Sequence, residues 1–435
     1  MKKTRIVATI GPSSQDKKTV SSLIDKGVNC ARINTAHGDF SFYEDVVETV
    51  RDVSNIPIMV DIKGPELRVR SDDIITFEDQ DERDFFFDGK KPHFSYDFFG
   101  EVEEGDNIYF DNGLFHGVIE EKIRGEEKKI RVRFLCDGEV KPNKGVNIPG
   151  RRLDMPQLSE KDKEAIEWCK NNDIEYIALS FVRDEDDVKN LRSRLDGEDI
   201  DIISKIESRA GVENLDPILK HSQGVMVARG DLGVEMSEEK IPLIQKDMLK
   251  KTNEVGKISI VATEMLESMI DNPVPTRAEV SDVANAVLDG ADGVMLSGET
   301  AIGEYPIESV EVMKRACMEL EDELVRSLQD RYNGSVSEEM SKCAYHLARR
   351  EDTNKVVTIT RSGYSAKLMS RFRLDKEVIA ITTNEKTYRK LQLVWGINPV
   401  LIDEKPEIAL ITNLAIKLLE KDVIQKDHYV VFFAG

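Results

Sequence analysis

Eight short runs of apolar and β-branched residues recur along the first 300 residues. The runs are apolar at almost every position, which is typical of strands buried on both faces of a parallel sheet. They are Arg5–Thr9, Asn29–Asn34, Pro57–Asp61, Glu175–Ser180, Asp201–Lys205, Gly224–Ala228, Ile258–Ala262 and Gly293–Leu296. Helix-compatible segments lie between most of them and after the last, the clearest being Ser159–Asn171, Glu238–Val255 and Pro306–Leu328. Eight strands alternating with helices predict an α/β fold, a TIM (β/α)8 barrel.

A long gap separates the third predicted strand from the fourth. Because a strand-to-helix connection normally takes two to six residues, the segment 69–149 is predicted to be an inserted domain. Its runs Asn107–Phe110, Leu114–Glu120 and Lys129–Leu135 are joined by turns, which indicates a small β-barrel. We expect it to act as a lid on the catalytic barrel, which would comprise residues 1–68 and 150–330.

The pattern changes again after residue 330. Four further strand-like runs alternate with helical segments, which predicts a C-terminal open α/β domain with a parallel sheet over residues 331–435. These runs are Lys355–Thr360, Glu377–Thr382, Pro399–Ile402 and His428–Phe433.

Charge and composition narrow the class of protein. The formal net charge is −21, which disfavours nucleic acid and anionic membrane surfaces as partners. No apolar run reaches the ~20 residues of a membrane span, and the first residues do not form a signal peptide. The five cysteines are far apart, as in a reduced protein without a cysteine metal site. We therefore expect a cytoplasmic enzyme with no nucleic acid or membrane partner.

Charged residues gather at the predicted carboxyl ends of the strands, where TIM barrels carry their active sites. Lys205 and Glu207 are two residues apart and face the same side of one strand. Glu207 and Asp231 are expected at the same height on adjacent strands, where two carboxylates can hold a hard cation such as Mg²⁺. With Arg32, this cluster could stabilise a phosphoryl group.

A structural reading of the same residues stays open. Each carboxylate could instead be matched to a nearby Lys or Arg, and Arg32 and Lys205 could form rim ion pairs with Asp61 and Glu66.

The longer motifs resemble one family, pyruvate kinase. The matching stretches are Thr4–Ser14, Gly27–Gly38, Asp61–Arg68, Lys144–Gly150, Ile203–Glu207, Met226–Gly233, Ala262–Ile270 and Pro275–Thr300. The resemblance implies transfer of the phosphoryl group of phosphoenolpyruvate to ADP, giving pyruvate and ATP in the last step of glycolysis. It also implies Mg²⁺ or Mn²⁺, K⁺ as an activator, and a homo-oligomer, commonly a tetramer.

The resemblance also assigns roles by position. Glu207 and Asp231 look like the Mg²⁺ ligands, and Lys205, Thr263 and Arg32 look like catalytic residues. The residues expected to bind substrate are Arg32, Lys205, Gly230 and Thr263. The residues expected near the nucleotide are Arg68, Lys144, Asn34 and His37.

Two departures from the family pattern concern ions and charge. At the K⁺ site, Asn34, Asp61 and the carbonyl of Ile62 remain, but Ala36 stands where a serine ligand is usual. Glu66 is the residue type of K⁺-requiring members, so we expect K⁺ activation through a weakened site. The second departure is Glu264, which occupies a position that is often Gln in the family.

A third feature is a possible effector site. The family's regulatory phosphate loop has its counterpart at Thr360, Ser362, Gly363 and Ser365, whose hydroxyl and N–H groups suit a phosphate. A simple helix cap is the alternative. Because the sequence stops at Gly435, before the family's final loop and strand, we expect a simple phosphate compound or nucleotide as effector, or none.

Two rival functions remain. The first is an Mg²⁺-dependent lyase or aldolase on the same barrel, which would not need Lys144 or a lid. The second is a non-catalytic relative that senses metabolites through the Thr360–Ser365 loop.

Overall fold

The structure is a computed structural model that describes residues 2–111, 113–125, 127–151, 153–327, 335–403, 411–421, 423–426 and 428–434. None of the helices in these ranges is long and apolar enough to cross a membrane.

The chain begins with three barrel strands and two helices. In order they are β1 (Arg5–Thr9), α1 (Lys17–Lys26), β2 (Cys30–Asn34), α2 (Phe40–Val53) and β3 (Ile58–Ile62). Asp16 and Asp39 cap the two helices by accepting backbone N–H groups of the first turn, and α1 ends at Gly27, whose φ is 127°. The sequence therefore starts and ends these helices with its own capping residues.

The inserted segment is an aromatic-cored sheet. Its strands are β4 (Val69–Arg70), β5 (Ile75–Phe77), β6 (Glu82–Phe86), β7 (His93–Phe94), β8 (Asn107–Phe110), β9 (Phe115–Arg124), β10 (Lys128–Phe134), β11 (Gly138–Val140) and β12 (Val146–Asn147). Seven of them form one sheet in the order β12-β8-β9-β10-β6-β7-β4, and β5 pairs with β11. A backbone bridge between Arg68 and Gly145 joins the two outer strands, so the sheet curls back on itself as the predicted small barrel.

The barrel resumes after the insertion. Its remaining strands are β13 (Tyr176–Leu179), β14 (Asp201–Ile206), β15 (Gly224–Ala228), β16 (Ile258–Ala262) and β17 (Gly293–Leu296). The helices between and after them are α3 (Glu160–Asn171), α4 (Glu185–Arg194), α5 (Arg209–Glu213), α6 (Leu215–His221), α7 (Arg229–Glu235), α8 (Ile241–Glu254), α9 (Arg277–Leu288), α10 (Gly298–Ala301) and α11 (Pro306–Ser327). Short 3₁₀ turns cover Glu238–Lys240 and Glu267–Ile270.

Eight parallel strands close this barrel, in the order β1-β17-β16-β15-β14-β13-β3-β2. All eight coincide with the predicted runs, because the barrel strands are buried on both faces and their sequences are apolar throughout. The helix predicted over Glu238–Val255 is a 3₁₀ turn followed by α8, with Pro242 in its first turn. The last residue of the third predicted helix, Leu328, lies outside the described residues.

The C-terminal part is the predicted open α/β unit. It consists of α12 (Val336–Ala348), β18 (Thr353–Ile359), α13 (Tyr364–Ser370), β19 (Glu377–Thr382), α14 (Glu385–Leu391), β20 (Ile397–Leu401), α15 (Ile411–Glu420) and β21 (Tyr429–Ala434). The sheet is parallel, in the order β20-β19-β18-β21.

The C-terminal unit packs against the barrel end opposite the strand termini that carry the charged residues. One hydrophobic cluster contains barrel-interior residues such as Met59 and Ile203 together with Leu393 and Val394 of the loop after α14. Arg5 at the start of β1 donates to the carbonyl of Val394 at 2.8 Å. The two units therefore share a core and a buried polar contact.

Candidate active site

A cavity of about 920 Å³ opens at the carboxyl ends of the barrel strands. Its walls come from the barrel rim and from the segments that lead into and out of the inserted barrel. Of the residues singled out in the sequence, it is lined by Arg32, Asn34, Ala36, His37, Asp61, Glu66, Arg68, Lys205, Glu207 and Asp231. The fold thus brings together groups that are up to about 200 positions apart in the chain.

The floor of the cavity is a buried network of ion pairs. Arg32 contacts Asp61 Oδ2 through both Nε, at 2.9 Å, and Nη2, at 2.8 Å. Lys205 Nζ lies 3.2 Å from Asp61 Oδ1 and 2.9 Å from Glu207 Oε1. Ion pairs of Arg32 and Lys205 at the rim were the structural alternative raised by the sequence. They are present, but their partners are Asp61 and Glu207 rather than Asp61 and Glu66. They also leave two cations and two carboxylates facing the cavity.

The charges in this network hold one another ionised. Burial alone would raise the pKa of Asp61, but Lys205 and Arg32 outweigh it and keep that pKa below its usual range. Burial likewise works against the charged form of Lys205, yet Asp61 and Glu207 raise its pKa. Lys205 also donates a hydrogen bond to the Ser180 hydroxyl at 2.7 Å, so its ammonium is held in one place.

The prediction for Asp231 is wrong in one respect. Glu207 follows β14 directly, but Asp231 lies in the first turn of α7 rather than at a strand end, because the chain turns helical at Arg229 as soon as β15 ends. Both carboxylates still line the cavity. Burial and the nearby Glu207 raise the pKa of Asp231 well above its usual range, with Lys205 opposing them.

This carboxylate pair has the character of a cation site. Within the described residues no Lys or Arg forms an ion pair with Asp231, which leaves a mostly buried carboxylate beside a second one. Among the described residues, no three or more Asp, Glu, His or Cys side chains are arranged so that they could hold a metal ion by themselves. The donors fit a hard divalent cation that completes its shell with water and substrate oxygens.

Thr263 and Gly230 lie side by side next to this pair. Gly230 N–H donates to Thr263 Oγ1 at 2.9 Å, and the Thr263 hydroxyl donates to the carbonyl of Ala262 at 2.6 Å. Thr263 and Glu264 have φ values of 67° and 53°, a left-handed conformation that is strained for a β-branched residue and that clusters at functional sites. Neither Thr263 nor Gly230 lines the large cavity, which reaches Asp231 beside them.

The residues predicted for the nucleotide are only partly brought together. Asn34, His37 and Arg68 line the cavity. Lys144 does not line it, and its ammonium pairs with Asp111 of the inserted barrel at 2.8 Å. The Arg68 guanidinium is held at 2.5 Å by Glu66, which also pairs with Lys63 at 3.0 Å.

The residues predicted for K⁺ are occupied by protein contacts. Both oxygens of Asp61 are engaged by Arg32 and Lys205, and Asn34 Oδ1 accepts the N–H of Ala36 at 3.1 Å. Ile62 is the buried last residue of β3. Ala36 adds no polar side chain to this group.

The predicted effector loop bonds largely to itself. The Thr360 hydroxyl accepts the N–H of Gly363 at 2.9 Å, and the hydroxyls of Thr358 and Ser365 lie 2.9 Å apart. Ser362 is exposed and lines a second cavity of about 410 Å³ between this loop and the barrel. The Thr360 bond closes the turn before α13, whose N-cap residue is Gly363 without a side-chain capping bond, so Thr360 is not a simple helix cap.

Sequence reasoning missed three groups of this site. The Ser180 hydroxyl holds Lys205, and the N–H of Phe181 donates to Glu207 Oε2 at 2.6 Å. The side chain of Glu235, at the far end of α7, also lines the cavity. Ser180 and Phe181 directly follow β13, the fourth barrel strand, so the rule that active-site residues lie at the carboxyl ends of the strands could have found them. Nothing in the sequence pattern marks Glu235.

Comparisons with known proteins give one family. The family model described as pyruvate kinase, barrel domain, matches residues 1–310, and the model described as pyruvate kinase, alpha/beta domain, matches residues 338–435. A pyruvate kinase of Staphylococcus saprophyticus is 38% identical, with 100% of this chain and 78% of the relative covered. One of Sporosarcina psychrophila is 39% identical, with 92% and 72% covered.

A solved structure agrees with these relatives. The crystal structure of a pyruvate kinase from Cryptosporidium parvum superposes with a TM-score of 0.92 at 32% sequence identity, and the match covers 100% of this chain and 94% of that one. The resemblance of the motifs is therefore confirmed over the full length, and the chain belongs to the pyruvate kinase family.

Proposed function

We propose that this chain transfers the phosphoryl group of phosphoenolpyruvate to ADP and releases pyruvate and ATP. The observation that carries the proposal is the buried cluster of Lys205, Arg32, Asp61 and Glu207 beside Asp231, at the floor of a cavity between two domains. Phosphoryl transfer requires positioning and charge neutralisation rather than covalent help from the protein, and this cluster is suited to both.

Glu207 and Asp231 would hold Mg²⁺ or Mn²⁺, which neutralises phosphate charge when bound. Lys205 and Arg32 stabilise the negative charge of the group in transfer, because their own charges are fixed by Asp61 and do not have to reorganise. The ion pairs with Asp61 also orient both cations, so the substrate would find them in place.

Thr263 would act on the second half of the reaction, in which the enolate takes up a proton. Its hydroxyl oxygen accepts the Gly230 N–H and its proton is directed to the carbonyl of Ala262, so Thr263 would orient the group that delivers the proton rather than deliver it from this position. Gly230 would contribute to the same substrate subsite.

The nucleotide would bind toward the inserted barrel, near Arg68, Lys144, Asn34 and His37. Lys144 faces Asp111 in this structure, so its part in the reaction requires the inserted domain, residues 69–149, to move as a lid. Lid closure would exclude water from the reacting phosphoryl group.

K⁺ would act through Asn34, Asp61 and the carbonyl of Ile62, without a hydroxyl at Ala36. Family resemblance alone supports three further parts of the proposal. The protein would be cytoplasmic, it would form a homotetramer, and an effector would bind at Thr360–Ser365.

The experiment is to follow pyruvate formation from phosphoenolpyruvate and ADP with Mg²⁺, with and without K⁺. Turnover that rises with K⁺ supports the kinase and a K⁺ site that works without a hydroxyl ligand at Ala36. Turnover indifferent to K⁺ supports the kinase alone, and absence of turnover in folded protein argues for the sensor or the lyase.

Lys144→Ala distinguishes the kinase from the lyase. We expect kcat/KM for ADP to fall at least tenfold, because a cation on the nucleotide side is lost. Stability should change little, since the pair with Asp111 is partly exposed. Lys141→Ala, an exposed lysine of the same barrel, is the matched control. Equal activity of the two variants would exclude this role for Lys144.

A further inference from the structure

The strand register places Arg229 beside Thr263. β15 and β16 run parallel with Ala228 paired to Ala262, so Arg229 and Thr263 are the first residues after this pair. The chain after β15 becomes helical, whereas the chain after β16 passes through Thr263 and Glu264 with φ values of 67° and 53°. Left-handed backbone at two successive residues with side chains is unfavourable, and it persists only where surrounding contacts impose it.

The Arg229 guanidinium supplies such contacts on the carbonyl side of this turn. Its Nε donates to the carbonyl of Ala262 at 3.4 Å, and its Nη2 donates to the carbonyls of Thr263 at 2.6 Å and Glu264 at 3.3 Å. The same Nη2 lies 3.0 Å from Met265 Sδ. One planar group thus contacts four successive residues of the turn, which the single ammonium of a lysine could not do.

Arg229 is itself held in one orientation. Its Nη1 forms an ion pair with Asp282 on α9, and its side chain is only 10% exposed. Because all three nitrogens of the guanidinium have partners, the group is fixed from two sides, by the turn and by the helix. Asp282 is 34% exposed, so this pair can be altered from its outer end without opening the core.

Glu299 holds the same segment from its N–H side. Its buried carboxylate accepts the N–H of Leu266 at 3.0 Å and the N–H of Ser297, directly after β17, at 2.7 Å. The turn therefore lies between a guanidinium that binds its carbonyls and a carboxylate that binds the N–H that follows. Of these two groups, Arg229 is the one that contacts the strained residues.

The conformation of the turn decides where the Thr263 hydroxyl lies. That hydroxyl accepts the Gly230 N–H at 2.9 Å and donates to the carbonyl of Ala262 at 2.6 Å. A rotation of the turn toward an unstrained conformation would move the hydroxyl away from Gly230. The contacts of Arg229 with the carbonyls oppose that rotation.

We propose that Arg229 is a positioning residue for the proton-transfer half of the reaction. It keeps Thr263 in its left-handed conformation beside Gly230, and Asp282 orients the guanidinium for this task. The inference rests on the function proposed above, because that function assigns Thr263 to the step in which the enolate takes up a proton. Arg229 does not line the large cavity and acts through the backbone of the turn.

The test follows the two halves of the reaction separately. ATP formation in a single turnover measures phosphoryl transfer. Deuterium uptake from D₂O into the methyl group of pyruvate, with Mg²⁺ present, measures the proton step: a methyl C–H bond breaks to give the enolate, and a C–D bond forms with a solvent deuteron. A residue that serves only the turn at Thr263 affects the second measurement and not the first.

Arg229→Met removes the guanidinium, and Arg229→Lys keeps the charge without the planar set of donors. We expect Arg229→Met to lower deuterium uptake about 100-fold, the scale of a misplaced reacting group, while single-turnover ATP formation stays within about threefold of the wild type. Arg229→Lys should lose about tenfold in uptake, because one ammonium cannot span the turn. Arg194→Met, at an exposed arginine of α4, is the matched control and should equal the wild type.

Asp282→Asn provides a second variant in case the Arg229 variants do not fold. It removes the charge that orients the guanidinium and leaves the turn itself unchanged. We expect deuterium uptake to fall about fivefold. Hydrogen exchange of the Gly230 amide, in a peptide covering residues 229–236, should quicken about threefold, because its acceptor on Thr263 is less well fixed.

Three results would overturn the inference. One is an equal loss of both half-reactions in Arg229→Met, because general damage to the site would then be the cause. Another is wild-type uptake in Arg229→Lys, because a charge without the planar donors would then suffice. The third is wild-type uptake together with wild-type Gly230 exchange in Asp282→Asn.

Failure of the proposed function is distinguishable from failure of this inference. A wild-type protein that forms no pyruvate from phosphoenolpyruvate and ADP refutes the kinase, yet exchange of the Gly230 amide still measures whether Asp282 and Arg229 fix the turn. Normal wild-type turnover, with uptake and exchange unchanged in Asp282→Asn, refutes the positioning role alone.

Discussion

Lys205 is the residue on which the charge balance of the site depends. Its ammonium is buried between the carboxylates of Asp61 and Glu207. If Lys205 were removed, the negative charge of each carboxylate would be less well compensated. Burying a charge is unfavourable unless it is paired, and removing one partner of a buried ion pair leaves the other charge buried without compensation. The same cation that is proposed to act on the substrate therefore also contributes to stability.

Lys205→Met is expected to lower kcat by orders of magnitude while phosphoenolpyruvate binding changes little, because the lost charge acts in the transition state. The variant should also lose about 3–5 kcal/mol of stability, as expected when one partner of a buried pair is removed. Steady-state kinetics well below the melting temperature, with urea unfolding alongside, measures both. A kcat within a few-fold of the wild type would contradict the assigned role.

Lys257 gives a prediction about pH. Burial, with Lys367 nearby, lowers the pKa of Lys257 from its usual 10.5 to about 8, although its ammonium donates to the carbonyls of Leu219 and Ser222. Between pH 8 and 10.5 the unfolded chain holds a proton on this lysine that the folded protein has released. This residue's contribution to stability therefore rises as pH rises through that window, and it is lost as pH falls.

The measurement is urea unfolding at several pH values between 7.5 and 10. Buried thiols such as Cys317, whose pKa burial raises to about 12, act in the opposite direction, so the comparison must be with a variant. We expect the free energy of unfolding of Lys257→Met to rise less steeply, or fall more steeply, with pH than that of the wild type. Parallel slopes would show that Lys257 keeps its ordinary pKa.

At the scale of elements, one capping box fixes the segment that follows Thr263. Thr276 caps α9, and the Glu279 carboxylate accepts the N–H of Thr276 at 2.7 Å. The same carboxylate reaches back to the 3₁₀ turn before the helix, where it accepts the N–H of Ser268 at 2.7 Å and its hydroxyl at 2.5 Å. One side chain thus joins the start of α9 to the 3₁₀ turn that lies between it and the strained residues after β16.

Glu279→Ala should cost about 2 kcal/mol of stability, because it removes the cap and leaves Ser268 without its acceptor. The activity should fall as well, since Thr263 would lose the support of the segment behind it. Thermal unfolding and kcat are the measurements, with Glu267→Ala, an exposed neighbour, as control. A Glu279→Ala variant as stable as Glu267→Ala would mean that the capping box contributes nothing.

The sequence predicts some secondary-structure elements of this fold and misses others. The eight barrel strands are identifiable because burial on both faces makes them apolar throughout, and the capping box of Ser159 and Asp162 marks the start of α3. Strands of two residues, such as Val69–Arg70 and His93–Phe94, are too short for any periodicity. Asp231 was misplaced because a strand end and an immediate helix start look alike in sequence.

Some tertiary contacts cannot be predicted in this way. The pairing of Lys144 with Asp111 depends on a distance that no local pattern encodes. The ion pairs of Asp61 with Arg32 and Lys205, by contrast, were one of the two interpretations that the sequence left open. Family resemblance supplied candidate roles, but the structure supplies their neighbours. The positions of the domain boundaries and the roles of the site residues stay predictions.

At the scale of the molecule, the C-terminal unit closes the amino-terminal mouth of the barrel. Tyr176 at the start of β13 donates to the carbonyl of Lys390, and Arg389 pairs with the buried Glu175 at 2.6 Å. Arg373 is fully buried between Asp292, at 2.9 Å, and the carbonyl of Gly290, at 2.7 Å. With the shared hydrophobic cluster, these contacts predict that barrel and C-terminal unit unfold together.

Leu393→Ala tests this, because Leu393 lies in the cluster that includes the barrel interior. It should cost about 2–5 kcal/mol and lower the melting temperature of the barrel as well. Leu418→Ala, in the separate cluster on the other face of the C-terminal sheet, is the control. Calorimetry should give one transition for Leu393→Ala, and hydrogen exchange of the barrel strands should respond more to it than to Leu418→Ala. Two separate transitions, with the barrel unaffected, would contradict the shared core.

The shared core also bears on how such a chain can diverge. If the loop around Trp395 is part of the barrel's interior, the C-terminal unit is not an interchangeable module that recombination can replace with a copy from a relative 38% identical. A graft would bring foreign side chains against Met59 and Ile203 and would have to match Arg373 to Asp292. A substitution on the barrel side of this junction should therefore be accompanied by a substitution on the C-terminal side. A chimera should fold only when the barrel residues and the C-terminal residues of the junction come from the same parent.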